Sequence, residues 1–396
     1  MDSGAIECAS GDQPVKRCIN LKKELPCMLT TLRLQSLGIK LLSIVAPFLL
    51  LLLAGGRAHA EIVSFSDELI YQAEDFDNMQ TSRVIAFAKV KNRMQEHYVK
   101  YLLTTYAPVN MRFDKDQISF FITVILRTEV IDEQWDGHSY RIDARVSADP
   151  ADIVTKINLI RGDKQKMQDL KTIRGIMATA IASFDKIKKE LGAAEPGSGR
   201  HSFLQKDYLA ALKRIAGINW FYDGFSRQLD SKINEALDAY SRGIESDELN
   251  VYAYYYRSKV FDGLGDYRQA LDSLNKVIEV EPKFQLAYTY RANIYFMVFK
   301  DYARAISDYA KALELNPADD GAYYGRGLMF ATRMKKYKEA IADFTKVIEL
   351  NPKNAQAYYY RGMSYGYLGD YVRRGEDYKV SAELGHPNAI EYMNRK

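Results

Sequence analysis

Two groups of residues have the types and spacing for chemistry. The first is four arginines, Arg257, Arg291, Arg326 and Arg361, which recur at intervals of 34, 35 and 35 residues. Each closes a near-identical string: Ala253-Tyr-Tyr-Tyr-Arg257, Ala287-Tyr-Thr-Tyr-Arg291, Ala322-Tyr-Tyr-Gly-Arg326 and Ala357-Tyr-Tyr-Tyr-Arg361. A row of guanidinium groups among tyrosines could bind an acidic peptide or a C-terminal carboxylate. Three of the units, however, also repeat an acidic residue, Asp308, Asp343 and Asp377. Arginine and aspartate recurring together predict a structural pair, one per unit. The second group is Asp132 and Glu133 beside Trp135, which could hydrolyse a sugar stacked on the indole. Adjacent strand residues point to opposite faces, so the two carboxylates do not converge.

Other chemistry fails on spacing. Past residue 60 the histidines are His97, His138, His201 and His386, in four segments with no partner at metal-ligand spacing. Glu96 precedes His97, but no HExxH follows. The glycines of Gly263-Leu-Gly265-Asp266 and Gly366-Tyr-Leu-Gly369-Asp370 lie between helical stretches and follow no strand, which excludes a dinucleotide loop. There is no nucleophile elbow and no kinase signature. The expectation is a non-enzymatic chain with no cofactor and no metal.

The elements that carry the arginines are paired helices. Each string opens a first helix. A turn follows, then a second amphipathic stretch with a small residue (Ala270, Ala305, Ala340) where helices approach, then Pro282, Pro317 or Pro352, which cannot continue a helix. Self-similarity at this period predicts a stack of helix pairs, whose extended surface suits binding.

The pattern A-x3-[FYL]-x2-[AV]-x4-P at this period resembles the tetratricopeptide repeat over residues 216–390. Three full units span about 250–283, 284–318 and 319–353. Degenerate ones flank them at 216–249 and 354–387, the first with Asp223 for arginine and the last with Arg374 for alanine. The resemblance implies that the second, fifth, sixth and ninth positions of each first helix line a concave groove that takes a protein or peptide. These are Tyr255, Tyr256, Lys259, Thr289, Tyr290, Asn293, Tyr324, Tyr359, Tyr360 and Met363. Some of the tyrosines could instead pack between units, and about half are expected to be exposed.

The fold class is therefore mainly α: a tetratricopeptide α-solenoid over 204–396, behind a small α+β domain and a helical connector. The α+β domain covers 61–149. It reads as a strand at 68–73, a helix capped by Asp77 or Asn78 running to about Thr105, and a helix with the stripe Ile118, Phe121, Ile122, Ile125 and Leu126. A hairpin then turns at Asp136-Gly137, with Ile131 facing Ile142 and Asp132 facing Arg141. This order resembles N-terminal modules of the flagellar-assembly-T and LPP20 type in bacterial envelopes, which implies a structural module without catalytic residues.

The connector, 150–192, carries Leu170, Ile173, Met177, Ala180, Phe184, Ile187 and Leu191 at 3-4 spacing. This seam predicts either a homodimer through 170–191 or packing on the chain's own domain or first repeat; three heptads favour the latter. Gly192–Gly199 opens a flexible linker over 193–203.

The first sixty residues differ in kind. Leu41–Ala54 is an uninterrupted apolar run of signal-peptide length, preceded by Arg33 and Lys40 and followed by Ala58-His-Ala60. Cleavage before Glu61 is expected, giving a periplasmic or secreted bacterial protein with no membrane span. An uncleaved inner-membrane anchor is the other reading. Met28 would begin a leader of ordinary proportions. Cys8, Cys18 and Cys27 all precede the apolar run, so the processed chain would have no cysteine. It would keep 48 Lys/Arg and 47 Asp/Glu, a balance with no electrostatic case for nucleic acid.

Three functions follow: an exported scaffold that binds a protein partner in an envelope machine, a membrane-tethered component that self-associates through 170–191, or an enzyme built on the α+β module.

Overall fold

The computed structural model describes residues 62–106 and 114–395. The expectations for the signal peptide, Met28, the cleavage point and the three cysteines lie outside the described residues. The chain divides into two units between Leu212 and Lys213.

In the first unit, alternation makes the sheet. β3 (Ser139–Ala148) buries Tyr140, Ile142, Ala144 and Val146 and turns Arg141, Asp143 and Arg145 outward. It pairs antiparallel with β1 (Val63–Gln72) on one side and β2 (Thr128–Trp135) on the other. β1 starts five residues earlier than the sequence predicts. Its inward row, Val63, Phe65, Asp67, Leu69 and Tyr71, contains a carboxylate that hides the alternation; Asp67 meets Arg93 at 2.8 Å. The hairpin register also differs: Asp132 faces Asp143, Glu133 faces Ile142 and Gln134 faces Arg141. The pair that closes the hairpin is Trp135 with Tyr140, so the loop between them holds four residues, 136–139, not two. The Asp136 carboxylate accepts from the His138 and Ser139 amides at 2.8 and 2.6 Å and from the Ser139 hydroxyl. These bonds lower its pKa to about 2. A bulge at Ile131 then takes back one residue of that shift.

Helices cover the apolar face. α1 (Met79–Tyr101) starts at a capping box, in which the Asn78 side chain accepts from the Thr81 amide and the Thr81 hydroxyl accepts from the Asn78 amide. It continues as a π-helical turn, Leu102–Tyr106. Its buried row is Ile85, Ala86, Val90, Met94 and Tyr98, while Val84, Phe87 and Ala88 are only half-buried. α2 (Lys115–Ile125) buries the whole predicted stripe. α3 (Pro150–Gly162) and α4 (Lys164–Gly192) follow.

The α4 seam is already occupied. Leu170, Ile173, Ala180, Phe184 and Leu191 are buried within the unit, with Met177 and Ile187 half-buried. Phe184 stacks on Tyr208 of α5 (Gly199–Leu229), with centroids 5.2 Å apart. Of the two readings of the seam, this is packing on the chain's own elements, which three heptads favour over a homodimer. The linker is also shorter than expected, because 199–203 are helical. Asp77 joins three elements here, accepting from the hydroxyls of Tyr71 on β1 (2.7 Å) and Tyr208 on α5 (2.5 Å). Lys188 of α4 donates to the Tyr71 oxygen at 3.0 Å. Burial first, then the Asp77 carboxylate, pushes both phenols far above their ordinary pKa.

The second unit is helical throughout. After the C-terminal part of α5 come α6 (Ile233–Ser246), α7 (Val251–Gly263), α8 (Tyr267–Val280), α9 (Gln285–Ile294), α10 (Tyr302–Leu315), α11 (Asp320–Met329), α12 (Tyr337–Leu350), α13 (Ala355–Tyr367), α14 (Tyr371–Glu383) and α15 (Pro387–Asn394). From α6 onward each helix packs on the next, and Ala270, Ala305 and Ala340 are fully buried between them. Gly325 permits an equally close approach, since a Cβ there would lie 2.8 Å from the Tyr309 ring carbon Cζ.

The unequal spacing of the strings has a local cause. In the two 35-residue units the first helix ends in a π-helical turn, Tyr295–Phe299 and Phe330–Met334. The extra residue is enclosed there: Asp266 and Asp370 donate to carbonyls five residues back, whereas Asp301 and Lys336 reach six back. The turns without it use Gly265 and Gly369 at φ 78° and 82°, while the longer ones place Lys300 and Lys335 at φ 55° and 56°. A side chain in this left-handed region costs roughly 1 kcal/mol. Lys335→Gly is therefore expected to stabilise the unit by about 0.5 kcal/mol, after the added backbone entropy of glycine. Urea unfolding checks this, and a destabilised variant would refute the strain.

Candidate protein-binding groove

The first helices α7, α9, α11 and α13 carry all ten predicted groove residues. None of the ten is fully exposed. Tyr255 and Tyr256 are buried, which removes them from the groove surface. Tyr256 sits edge-on to Phe221 and Phe225 of α5, with centroids 5.3 and 5.6 Å away, in an aromatic core that includes Tyr240. Lys259 lies over both tyrosine rings at 5.3 and 5.1 Å. The other eight are half-buried.

Polar side chains bridge neighbouring first helices. Tyr290 of α9 donates to Asp262 of α7 at 2.7 Å. Thr289 donates to Asp319, just before α11, at 2.7 Å, and Gln285 donates to the same carboxylate. Tyr324 of α11 donates to Gln356 of α13 at 2.9 Å. Asn293 accepts from the Tyr309 hydroxyl at 2.6 Å. Burial, then the bond to Asp262, raises the Tyr290 pKa, and burial pushes Tyr324 up to about 12. Further along, Tyr359 stacks on His386 at 4.3 Å and Tyr378 at 5.1 Å, and Tyr360 stacks on Phe344 at 5.9 Å; Met363 packs nearby. The result is a row of half-buried rings, with the polar tips of Tyr290 and Tyr324 held by hydrogen bonds and Tyr359 and Tyr360 held by stacking.

Asp262, Asp319 and Gln356 were not predicted. The only sequence signal was for Asp319, which stands three residues before the opening alanine, as Asn250 and Asn354 do. All three cap their first helix by accepting from that alanine's amide at 3.0 Å.

The arginine ladder is internal. Arg291 meets Asp308 through two bonds of 2.8 Å, Arg326 meets Asp343 at 2.9 and 2.8 Å, and Arg361 meets Asp377 at 2.9 and 2.8 Å. The three carboxylates are buried. Arg291 and Arg361 also donate to Asn275 and Thr345 of the preceding second helix, so each touches three helices. Arg257 differs: Ser273 stands where the aspartate would be. Its guanidinium donates to Ser273 and Ser241 at 3.3 and 3.4 Å, and burial lowers its pKa.

In the first unit, Glu133 meets Arg83 at 2.8 Å and the Tyr140 hydroxyl at 2.8 Å, while Asp132 pairs with Arg141 on the other face of the sheet. The two carboxylates do not converge. Among the described residues no group of three His, Cys, Asp or Glu side chains could hold a metal, and no helix is long and apolar enough to cross a membrane.

Residues 258–320 match a family model of the tetratricopeptide repeat, and residues 332–369 match a second model of the same repeat. No curated protein matches the chain. Among solved structures, the chain is similar to a MamA protein at 24% identity, over 44% of this chain and 94% of that one, with a TM-score of 0.39. It is similar to YrrB, described as a repeat protein with an unusual peptide-binding site, at 22% identity over 45% and 92%, with a TM-score of 0.38. A MamA from Desulfovibrio magneticus RS-1 matches at 20% identity over 43% and 94%, with a TM-score of 0.39.

Proposed function

Because the C-terminal unit is an array of tetratricopeptide repeats, we propose that this chain is a non-enzymatic scaffold that binds a protein or peptide partner along its first helices. One observation carries the reading: the half-buried rings are fixed before any partner arrives, Tyr290 and Tyr324 by hydrogen bonds between units and Tyr359 and Tyr360 by stacking. A groove ordered in advance gives up little side-chain entropy on binding. Aromatic side chains with polar tips suit peptide contacts.

Lys259→Glu combined with Met363→Ala in the full chain is expected to weaken partner capture at least about tenfold, with thermal melting shifted by only a few degrees. Affinity capture from envelope extract measures this. Unchanged capture by a folded variant would reject the groove.

The finer reading is an exported protein in a bacterial envelope assembly, supported by the apolar run with its A-x-A site and by the likeness of the α+β module to envelope domains. A second reading is a membrane-tethered component that self-associates. It draws on the same apolar run and on exposed Ile181, Phe203 and Leu209 of α4 and α5, which lie off the buried seam. N-terminal sequencing of the protein from cells separates them: Glu61 as first residue sinks the tether, and an intact apolar run sinks the soluble form.

A further inference from the structure

The solenoid has two edges, built from different turns. One edge collects the turns inside each repeat, from first to second helix: 262–269, 297–304, 332–339 and 367–374. The other collects the turns between repeats: 245–249, 279–284, 314–320 and 349–354. The second helices α8, α10 and α12 have 14 residues each, so about 20 Å separates the edges.

The edges carry opposite charge. The turns inside repeats hold nine Lys/Arg and five Asp/Glu, whereas the turns between repeats hold two and nine. Local ion pairs leave the contrast standing. Arg304–Asp301 and Arg373–Asp370 reduce the first edge to seven against three. Lys276–Glu279, Lys311–Glu314 and Lys346–Glu349 reduce the second to two against six. Both edges also expose apolar side chains. Met297, Phe299, Tyr367, Leu368, Tyr371 and Val372 stand on the basic edge, and Leu249 and Leu350 on the acidic one. Val372 is 73% exposed and Leu249 69%, well beyond contact with their own repeats.

We propose that the basic edge of one copy docks on the acidic edge of a second copy. Charge complementarity favours the contact. So does pitch: both edges come from the same repeat, so their turns recur at the same spacing along the stack, with the charge concentrated at 332–339 on one edge and at 245–249 and 314–320 on the other. An unrelated acidic protein or an anionic membrane has no such matched period. The contact uses two different surfaces, so it is heterologous, and association continues beyond a pair unless the rotation closes a ring. It leaves the first-helix groove free, and it stands apart from the proposed groove function.

The test is sedimentation velocity of the full chain over a concentration series, at low and at raised salt. The expected result is a sedimentation coefficient that rises with concentration and association roughly tenfold weaker at the higher salt. Two charge-reversed variants follow, Lys335→Glu with Lys338→Glu on the basic edge and Glu245→Lys with Glu248→Lys on the acidic edge. All four side chains are exposed. The changes at Lys338 and Glu245 also suit the helix ends they occupy, so folding is retained. Each variant alone is expected to lose association, and a one-to-one mixture to regain it, because each then offers the other a complementary edge. A wild-type chain that stays monomeric overturns the proposal. So does association that survives either reversal, or a mixture that stays apart. Binding of the basic edge to anionic vesicles, without self-association, would assign that edge to a membrane instead.

Discussion

Arg326→Ala is expected to destabilise the solenoid by about 3 kcal/mol, because it strands a buried carboxylate. Asp343 keeps only 7% of its side-chain surface, and Arg326 supplies both of the charged hydrogen bonds it receives. Arg257→Ala is the internal control. Its guanidinium lies over the Tyr254 and Phe261 rings as Arg326 does over Tyr323 and Phe330, but where Arg326 donates to a carboxylate it donates to two serine hydroxyls at long distance, so its loss is expected to cost about 1 kcal/mol. Urea unfolding of both variants measures the difference. Equal, small losses, with partner capture abolished in the Arg326 variant alone, would make the ladder a ligand site and the ion pairs incidental.

Asp77→Ala is expected to have a comparable effect on the first unit, also about 3 kcal/mol. It leaves the hydroxyls of Tyr71 and Tyr208 without their acceptor, and both rings are buried. Hydrogen exchange should report the change first in residues 199–212, where α5 meets Asp77 through Tyr208. Asp77→Asn keeps one acceptor oxygen and should recover part of the loss. Unaltered protection of 199–212 in the alanine variant would show that Phe76 and Phe184, packed around the Tyr208 ring, hold α5 without the carboxylate.

Both predictions rest on residues that differ in how far the sequence reveals them. The Arg–Asp pairs are legible because partners recur with the repeat, and periodicity turns one ambiguous pair into three concordant ones. Asp77 was visible only as a helix cap. Its tyrosine partners are 6 and 131 residues away, and no local pattern links them. The groove follows the same rule. That tyrosines sit on first helices is plain from spacing, but which of them are covered depends on Phe221 and Phe225, in a helix whose repeat is degenerate. The bridges from Asp262, Asp319 and Gln356 cross from one unit to the next, at separations of 28 to 34 residues. They exist only once the units stack. The hairpin departs from its sequence pattern for a smaller reason: a carboxylate that captures two amides converts a two-residue turn into a four-residue loop.

The enclosed extra residue of the longer units bears on how such a chain can change. Arg291 and Arg326 find their aspartates 17 residues on, and Arg361 finds its own after 16, yet the bonds all measure 2.8 to 2.9 Å. The additional residue is expelled to the turn, and the joint between helices does not register it. Length variation is thus quarantined at one border of the array. A lineage carrying this architecture can insert, delete or recharge residues at that border while the surface along the first helices keeps its geometry, so the two faces are free to acquire partners on separate histories.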